Sequence, residues 1–188
     1  FEKNSLDELV SLYHKYQLHQ KGISLADEFI KVYKKINNKC WEKYRKNLIT
    51  KDKLRTERFL QTLIYFGIEN KKLADNLGTD YVNNSPHRTI LIDGTIDLLK
   101  RLEGHFSMHI ITNGFEEVQW VKLEKSGLLP YFDKVITSEK VGVKKPDVKI
   151  FHYAMSEANA SLNESIMIGD DLKTDIAGAI DVGMRCIY

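Results

Sequence analysis

The stretch that decides the fold is residues 166–175, which read IMIGDDLKTD. Three apolar residues are followed by a glycine and then by Asp170, Asp171 and Asp175. A short apolar run of this kind is typical of a strand, and the polar residues after it predict a strand-to-helix turn. Because a buried carboxylate without a partner is unfavourable, such a cluster usually binds a cation, for example Mg²⁺, or caps a helix. Both interpretations are open for this segment taken alone.

The rest of the second half repeats this order of patterns. Short apolar runs at 108–111 and 135–137 alternate with apolar residues at helical spacing, and residues 185–188 predict one more strand. Alternating strands and helices favour an α/β fold with a mostly parallel sheet. Ligands of such sheets bind outside the carboxyl ends of the strands. The polar residues that follow each strand are therefore the candidate site residues.

Two further strand ends carry residues suited to phosphate. Thr112, Asn113 and Gly114 follow the first apolar run, and they offer a hydroxyl together with backbone N–H groups, although a Thr-Asn-Gly sequence is also an ordinary turn. Pro146 keeps Lys145 out of the helical region of backbone space. The ammonium group of Lys145 is thereby predicted to sit at the edge of the sheet, where it could neutralise a phosphoryl group.

The first half, residues 1–86, shows apolar residues at helical spacing and no alternation of period two. Ser24 is predicted to cap one helix and Thr50 the next, and Pro86 follows the end of a fourth. These patterns predict an all-helical bundle. The sequence therefore indicates two sub-domains, one helical at 1–86 and one α/β at 87–188.

Composition excludes few classes of protein. The 188 residues carry a net charge of +2, which gives no sign of a nucleic-acid polymer as partner. No apolar run is long enough to span a membrane and no secretory signal opens the chain, so we expect a cytoplasmic protein whose Cys40 and Cys186 are reduced thiols. Residues 1–86 contain 16 lysines and arginines against 11 acidic residues. That excess is explained by solvated helix faces or by a surface turned toward an anionic substrate.

The order of these segments resembles a known family. Thr112, Lys145-Pro146 and the run from Gly169-Asp170 to Asp175 resemble, in this order, the second, third and fourth motifs of the haloacid dehalogenase superfamily. Within it, the chain is similar to the noncanonical pyrimidine 5′-nucleotidase branch. The similarity is close over residues 88–188 and looser in the preceding helices. The segments that carry it lie at 112–114, 123–128, 131–133, 138–143 and 145–146.

This resemblance implies a Rossmann-like core at 87–188 with a helical cap at 1–86. It implies that Thr112 and Lys145 are catalytic, and that both bind the substrate phosphate together with Asn113 and Gly114. Asp170 would ligate Mg²⁺, Asp175 would support the metal through water, and Asp171 is a further candidate. The implied reaction is hydrolysis of a small phosphate ester, a nucleoside monophosphate of the pyrimidine class, through an aspartyl-phosphate.

One motif of the superfamily is absent from the chain. Its first motif, Asp-x-Asp-x-Thr, occurs nowhere in residues 1–188. Asp93-Gly94-Thr95 has a single aspartate, and Asp93 is predicted to cap the helix that follows. We therefore expect the strand with the nucleophile to lie ahead of Phe1 and the end of the core to lie beyond Tyr188. Without that strand we expect no hydrolase activity.

The sequence leaves other functions open. The same fold occurs in phosphatases that act on other small molecules and in 2-haloacid dehalogenases. The dehalogenases need no metal. A non-enzymatic module, either a phospho-accepting receiver or a catalytically silent binding protein, is a third interpretation. In receivers the acidic pair comes early in the chain, whereas here the acidic residues come last. The substrate, the cap residues that select it and the oligomeric state are not determined by the sequence.

Overall fold

The structure of the chain is a computed structural model and describes residues 2–188. It divides into two compact units, Phe1–Leu91 and Ile92–Tyr188. The first unit is entirely helical and the second contains parallel strands with helices between them, so the predicted α/β class with an additional helical part is confirmed.

The helical unit is built from four long helices. They are α1 (Glu2–Lys15), α2 (Ala26–Arg45), α3 (Lys51–Tyr65) and α4 (Lys71–Asn84), with short 3-10 turns at Leu18–Lys21 and Ser85–His87. Among the described residues, no helix of either unit is both long and apolar enough to cross a membrane.

The core of the helical unit is aromatic. The ring of Tyr33 lies 4.8 Å from that of Phe59 and 5.9 Å from that of Tyr81, measured between centroids. All three side chains are buried. Helices α3 and α4 approach closely at Gly78, where a Cβ would come within 2.6 Å of the carbonyl oxygen of Arg55. A glycine at this position therefore allows the two helices to pack.

Two of the three capping predictions were wrong. Thr50 accepts a hydrogen bond from the backbone N–H of Lys53 at 3.2 Å and caps α3, as expected. Helix α2, which Ser24 was predicted to cap, has Leu25 at its N-cap and no hydrogen bond from a capping side chain. The helix after Asp93 has Gly94 at its N-cap with φ 81°, so Asp93 lies one residue too early to cap it.

The two ends of the helical unit are tied together by side chains. The amide of Asn4 donates to the carbonyl oxygen of Ile90 at 2.9 Å and accepts from its N–H at 3.1 Å. The guanidinium of Arg88 lies 3.0 Å from the carboxylate of Glu8, whose side chain is only 2% exposed. The start of α1 is thus fixed to the last residues of the unit.

The second unit alternates strands and helices. Its strands are β1 (His109–Thr112), β2 (Lys134–Thr137), β3 (Ile166–Ile168) and β4 (Arg185–Ile187). Its helices are α5 (Thr95–Leu102), α6 (Glu116–Lys125), α7 (Ser138–Val141), α8 (Val148–Ala158) and α9 (Ala177–Asp181), with a π-helical turn at Leu172–Ile176 and 3-10 turns at Leu129–Tyr131 and Leu162–Glu164.

The strands form two parallel pairs. β1 pairs with β2, with Thr112 opposite Thr137, and β3 pairs with β4, with Ile168 opposite Ile187. A small core of the unit forms around Ile136, Ile150 and Phe151. By contrast, Ile166 and Ile168 of β3 are 46% and 64% exposed. The apolar residues of β3 are therefore much less covered than those of β2.

Candidate active site

Lys145 is a buried charged residue of the second unit with contacts on two sides. Its ammonium donates to the carbonyl oxygen of Ile111 at 2.7 Å and lies 2.7 Å from Oδ1 of Asp175. Only 8% of the residue is exposed, and its peptide bond to Pro146 is cis. Ile111 belongs to β1, and Asp175 lies in the turn after β3. A single buried cation therefore joins the carboxyl end of β1 to the turn after β3.

The side chain of Asn113 connects the loop after β1 to the backbone of Lys145. Its side-chain nitrogen donates to the carbonyl oxygen of Lys145 at 3.0 Å, and its side-chain oxygen accepts from the Lys145 N–H at 2.8 Å. The amide of Asn113 thus faces Lys145. The phosphate-binding role that the sequence predicts for Asn113 remains a prediction.

Thr112 and Gly114 form a tight turn at the end of β1. The hydroxyl oxygen of Thr112 accepts from the N–H of Gly114 at 3.0 Å, which leaves the hydroxyl hydrogen for another acceptor. A Cβ on residue 114 would lie 3.1 Å from this oxygen and closer still to the side chain of Gln119. A larger residue here would require the Gln119 side chain to move, and the turn leaves the Thr112 hydroxyl next to Ile111, which Lys145 contacts.

The three candidate metal-binding aspartates lie in different environments. Asp170 is exposed, whereas only 6% of Asp175 is exposed. Asp171 accepts from the N–H groups of Lys173 and Thr174 at 2.8 and 3.2 Å, so it caps the π-helical turn. The capping interpretation thus applies to Asp171. Asp175 is held by Lys145 and by the N–H of Asp171, which donates to its Oδ2 at 3.3 Å.

The donors at this turn suit a hard cation. No group of three or more His, Cys, Asp or Glu side chains in the described part of the chain is arranged to hold a metal ion. Mg²⁺, however, needs only one or two carboxylates when waters and phosphate complete its shell. A Cβ on Gly169 would come within 2.6 Å of Oδ2 of Asp175, so the glycine brings the backbone beside Asp170 onto that carboxylate. Asp170 and Asp175 therefore fit part of a Mg²⁺ site.

A second set of acidic residues was missed by the sequence analysis. Oε2 of Glu139 accepts from the N–H of Glu116 at 2.8 Å, and the hydroxyl of Thr137 donates to Oε2 of Glu116 at 3.0 Å. Both glutamates lie in the first turn of a helix, where a carboxylate is favourable. Burial lowers the pKa of the nearby Lys144, and the charge of Glu139 opposes that shift. These contacts fix the start of α6 to the end of β2 and to the start of α7.

Comparison with known proteins identifies the family. The family model of haloacid dehalogenase-like hydrolases matches residues 24–188. The pyrimidine 5′-nucleotidase YjjG of Escherichia coli (strain K12) is 34% identical over 168 residues, which cover 89% of this chain and 73% of YjjG. The pyrimidine 5′-nucleotidase PynA of Streptococcus pneumoniae (strain ATCC BAA-255 / R6) is 30% identical over 173 residues, 91% of this chain and 72% of PynA.

A solved structure agrees with this assignment. The magnesium-bound crystal structure of YfnB from Bacillus subtilis superposes with a TM-score of 0.89 at 29% sequence identity, covering 99% of this chain and 81% of YfnB. The chain belongs to the haloacid dehalogenase-like hydrolase family. The resemblance inferred from the motifs is therefore confirmed, and the protein is a hydrolase of this family.

Proposed function

We propose that this protein is a Mg²⁺-dependent phosphomonoesterase that hydrolyses pyrimidine nucleoside 5′-monophosphates through an aspartyl-phosphate. The observation that carries the proposal is the position of Lys145, whose ammonium contacts both Ile111 at the end of β1 and Asp175 in the turn after β3. A cation fixed between these loops is suited to a phosphoryl group bound outside the ends of the strands.

The phosphoryl group is held by β1 and Lys145 in this proposal. The hydroxyl of Thr112 donates to one phosphoryl oxygen and the backbone N–H of Asn113 faces another, while the N–H of Gly114 holds the Thr112 hydroxyl in place. The ammonium of Lys145 offsets the negative charge that builds up during transfer. Because these groups are already held by hydrogen bonds in the protein, little reorganisation accompanies the reaction.

Asp170 and Asp175 hold Mg²⁺ in this proposal, with Asp171 as a further ligand candidate. The ion would neutralise charge on the phosphoryl oxygens. Asp170 is exposed and available for direct ligation, whereas Asp175 is already engaged by Lys145 and acts through a water molecule. The support for magnesium is the oxygen-only donor set and the magnesium-bound structure of the relative YfnB.

The chemistry also requires a nucleophilic aspartate. A carboxylate oxygen attacks phosphorus, the ester oxygen leaves and is protonated to the free alcohol, and water then cleaves the acyl-phosphate to release inorganic phosphate. Residues 1–188 contain no Asp-x-Asp pair. The proposal therefore applies to a protein in which such a pair accompanies this chain, on a strand close to β1 and β3.

The pyrimidine class of substrate rests on the relatives. YjjG and PynA are both named pyrimidine 5′-nucleotidases, and each aligns with about nine-tenths of this chain. The test is phosphate release by the full-length protein from UMP, dUMP, dTMP and CMP, with AMP, GMP and sugar phosphates as comparison. We expect the pyrimidine nucleotides to give the highest kcat/KM, and EDTA to abolish activity.

Three results would contradict the proposal in different ways. A preference for sugar phosphates would support phosphatase activity but contradict the assignment as a nucleotidase. Chloride release from 2-chloropropionate that persists in EDTA would instead identify a dehalogenase. If a protein that carries the Asp-x-Asp pair turned over none of these substrates, the remaining interpretation would be a catalytically silent binding protein.

A further inference from the structure

Asn113 contacts both main-chain polar groups of one residue that is 32 positions away in the sequence. Its planar amide accepts from the N–H of Lys145 at 2.8 Å and donates to the carbonyl oxygen of Lys145 at 3.0 Å. A single hydrogen bond would let the Lys145 loop pivot about one point. Two parallel bonds from one amide fix both its position and its direction.

The side chain of Lys145 returns to the same strand. Its ammonium donates to the carbonyl oxygen of Ile111 at 2.7 Å. The segments around β1 and Lys145 are thus joined twice, once by the side chain of Asn113 and once by that of Lys145. Thr112 lies between Ile111 and Asn113, the two residues that make these contacts. The distance between its hydroxyl and the ammonium of Lys145 is therefore set by both connections.

We propose that Asn113 is a positioning residue, which fixes the ammonium of Lys145 relative to the hydroxyl of Thr112 and does not bind substrate through its side chain. The inference rests on the proposed function, in which both groups contact one phosphoryl group. A shift of about 1 Å in such a group can reduce turnover about 100-fold. The amide of Asn113 prevents that shift by holding the backbone from which Lys145 extends.

The first test separates positioning from direct binding. Asn113→Ala removes both contacts to Lys145, and Asn163→Ala removes an exposed asparagine of the same unit as the matched control. With the best substrate of the full-length protein, we expect Asn113→Ala to lower kcat about 10- to 100-fold, as loss of a supporting contact commonly does, and to change KM by less than about threefold. We expect Asn163→Ala to match the wild type.

A double-mutant cycle then asks whether Asn113 acts through Lys145. Lys145→Arg keeps the positive charge but replaces the positioned ammonium. If Asn113 acts through Lys145, Asn113→Ala has less than about threefold effect on kcat in the Lys145→Arg background. An equal loss in both backgrounds, or a rise in KM without a change in kcat, would mean that Asn113 contacts the substrate itself and would overturn the proposal.

A measurement without substrate keeps the inference separate from the proposed function. We expect the backbone amide of Lys145 to exchange its hydrogen at least about tenfold faster in Asn113→Ala, because its acceptor is removed, with no change in Asn163→Ala. A crystal structure of Asn113→Ala in which the Lys145 ammonium keeps its contacts to Ile111 and Asp175 would overturn positioning on geometry alone. Absence of phosphatase activity in the wild type would instead reject the proposed function.

Discussion

The ammonium of Lys145 lies 2.7 Å from Oδ1 of Asp175, and only 10% and 8% of the two side chains are exposed. Both charges have lost most of their hydration, so each depends on the other. The pair is also bound on both sides, because Lys145 donates to Ile111 and the N–H of Asp171 donates to Asp175. The contacts that hold Lys145 therefore also contribute to the stability of the second unit.

Removing Lys145 should destabilise the protein as well as inactivate it. We expect Lys145→Met to lower the free energy of unfolding by about 3 kcal/mol in urea denaturation, because Asp175 is left as a buried charge without its partner. Lys145→Met/Asp175→Asn removes both charges and should recover at least about half of that loss. A double variant no more stable than Lys145→Met would show that the pair is not the source of the effect.

Gly169 should be needed for the position of Asp175. In Gly169→Ala the new Cβ would come within 2.6 Å of Oδ2 of Asp175, so that the Asp175 carboxylate must shift from the position in which it contacts Lys145. We expect kcat/KM to fall more than about tenfold and the Mg²⁺ concentration for half-maximal activity to rise about as much, as loss of a supporting contact does.

Gly78→Ala provides the matched control for crowding. Its Cβ would come within 2.6 Å of the carbonyl oxygen of Arg55, in the helical unit. We expect it to lower stability by about 1–3 kcal/mol, as overpacking does, while the Mg²⁺ requirement stays that of the wild type. Equal Mg²⁺ requirements in the two variants would show that Gly169 has no special relation to the site.

Lys122 should make stability depend on pH. Burial lowers the pKa of Lys122 to about 8, below the ordinary value of about 10.4 that applies in the unfolded chain. Between about pH 8 and pH 10 the unfolded chain therefore binds more protons than the folded protein, and stability rises with pH. Below this range both states are protonated, and the folded state carries the full penalty of a buried charge.

The experiment compares variants across this pH range. Relative to Lys122→Met, the wild type should gain roughly 2 kcal/mol of unfolding free energy between about pH 7 and pH 10. Lys125→Met removes an exposed lysine from the same helix and should show no such change relative to the wild type. A parallel pH dependence in wild type and Lys122→Met would refute the assignment.

The charge of Arg58 should be dispensable for stability. Arg58 is only 4% exposed and its guanidinium carbon lies 4.7 Å from the centroid of the Tyr81 ring. Its guanidinium makes one long hydrogen bond, to Oδ1 of Asn37 at 3.3 Å, and its Nε is buried without a hydrogen-bond partner among residues 2–188. We expect Arg58→Met, which keeps the volume, to change stability by less than about 1 kcal/mol. Arg58→Ala should lower it by about 2 kcal/mol, because it leaves a cavity. Equal losses of stability in the two variants, measured by thermal unfolding, would contradict this prediction.

Much of the fold followed from local patterns. The strand at 185–188 was predicted from its apolar residues, and the end of α4 from Pro86, because these signals act over a few residues. The caps of α2 and α5 failed for a local reason as well. A polar residue near a helix start does not fix which residue becomes the N-cap, since the preceding turn decides it.

The contacts within the site were less predictable. The motifs indicated which loops carry polar residues, and the structure brings Lys145 to Asp175 and to the end of β1. The contact between the Asn113 side chain and the Lys145 backbone could not be predicted. It joins residues 32 positions apart, and on the Lys145 side it uses main-chain groups, which do not depend on the residue type. Sequence could not separate Asp171 from Asp175 either, since the difference between a capping and a buried carboxylate depends on tertiary packing.

The hydrogen bonds between Asn4 and Ile90 hold the two ends of the helical unit next to each other. Because Asn4 and Ile90 hold the two ends of the unit together, the helices between them form one module that begins and ends at neighbouring points. A chimera that receives the equivalent helices of a relative should therefore fold if the tie is retained. Such an exchange would change the helices alone, whereas the bonds that join the two ends of the unit stay the same.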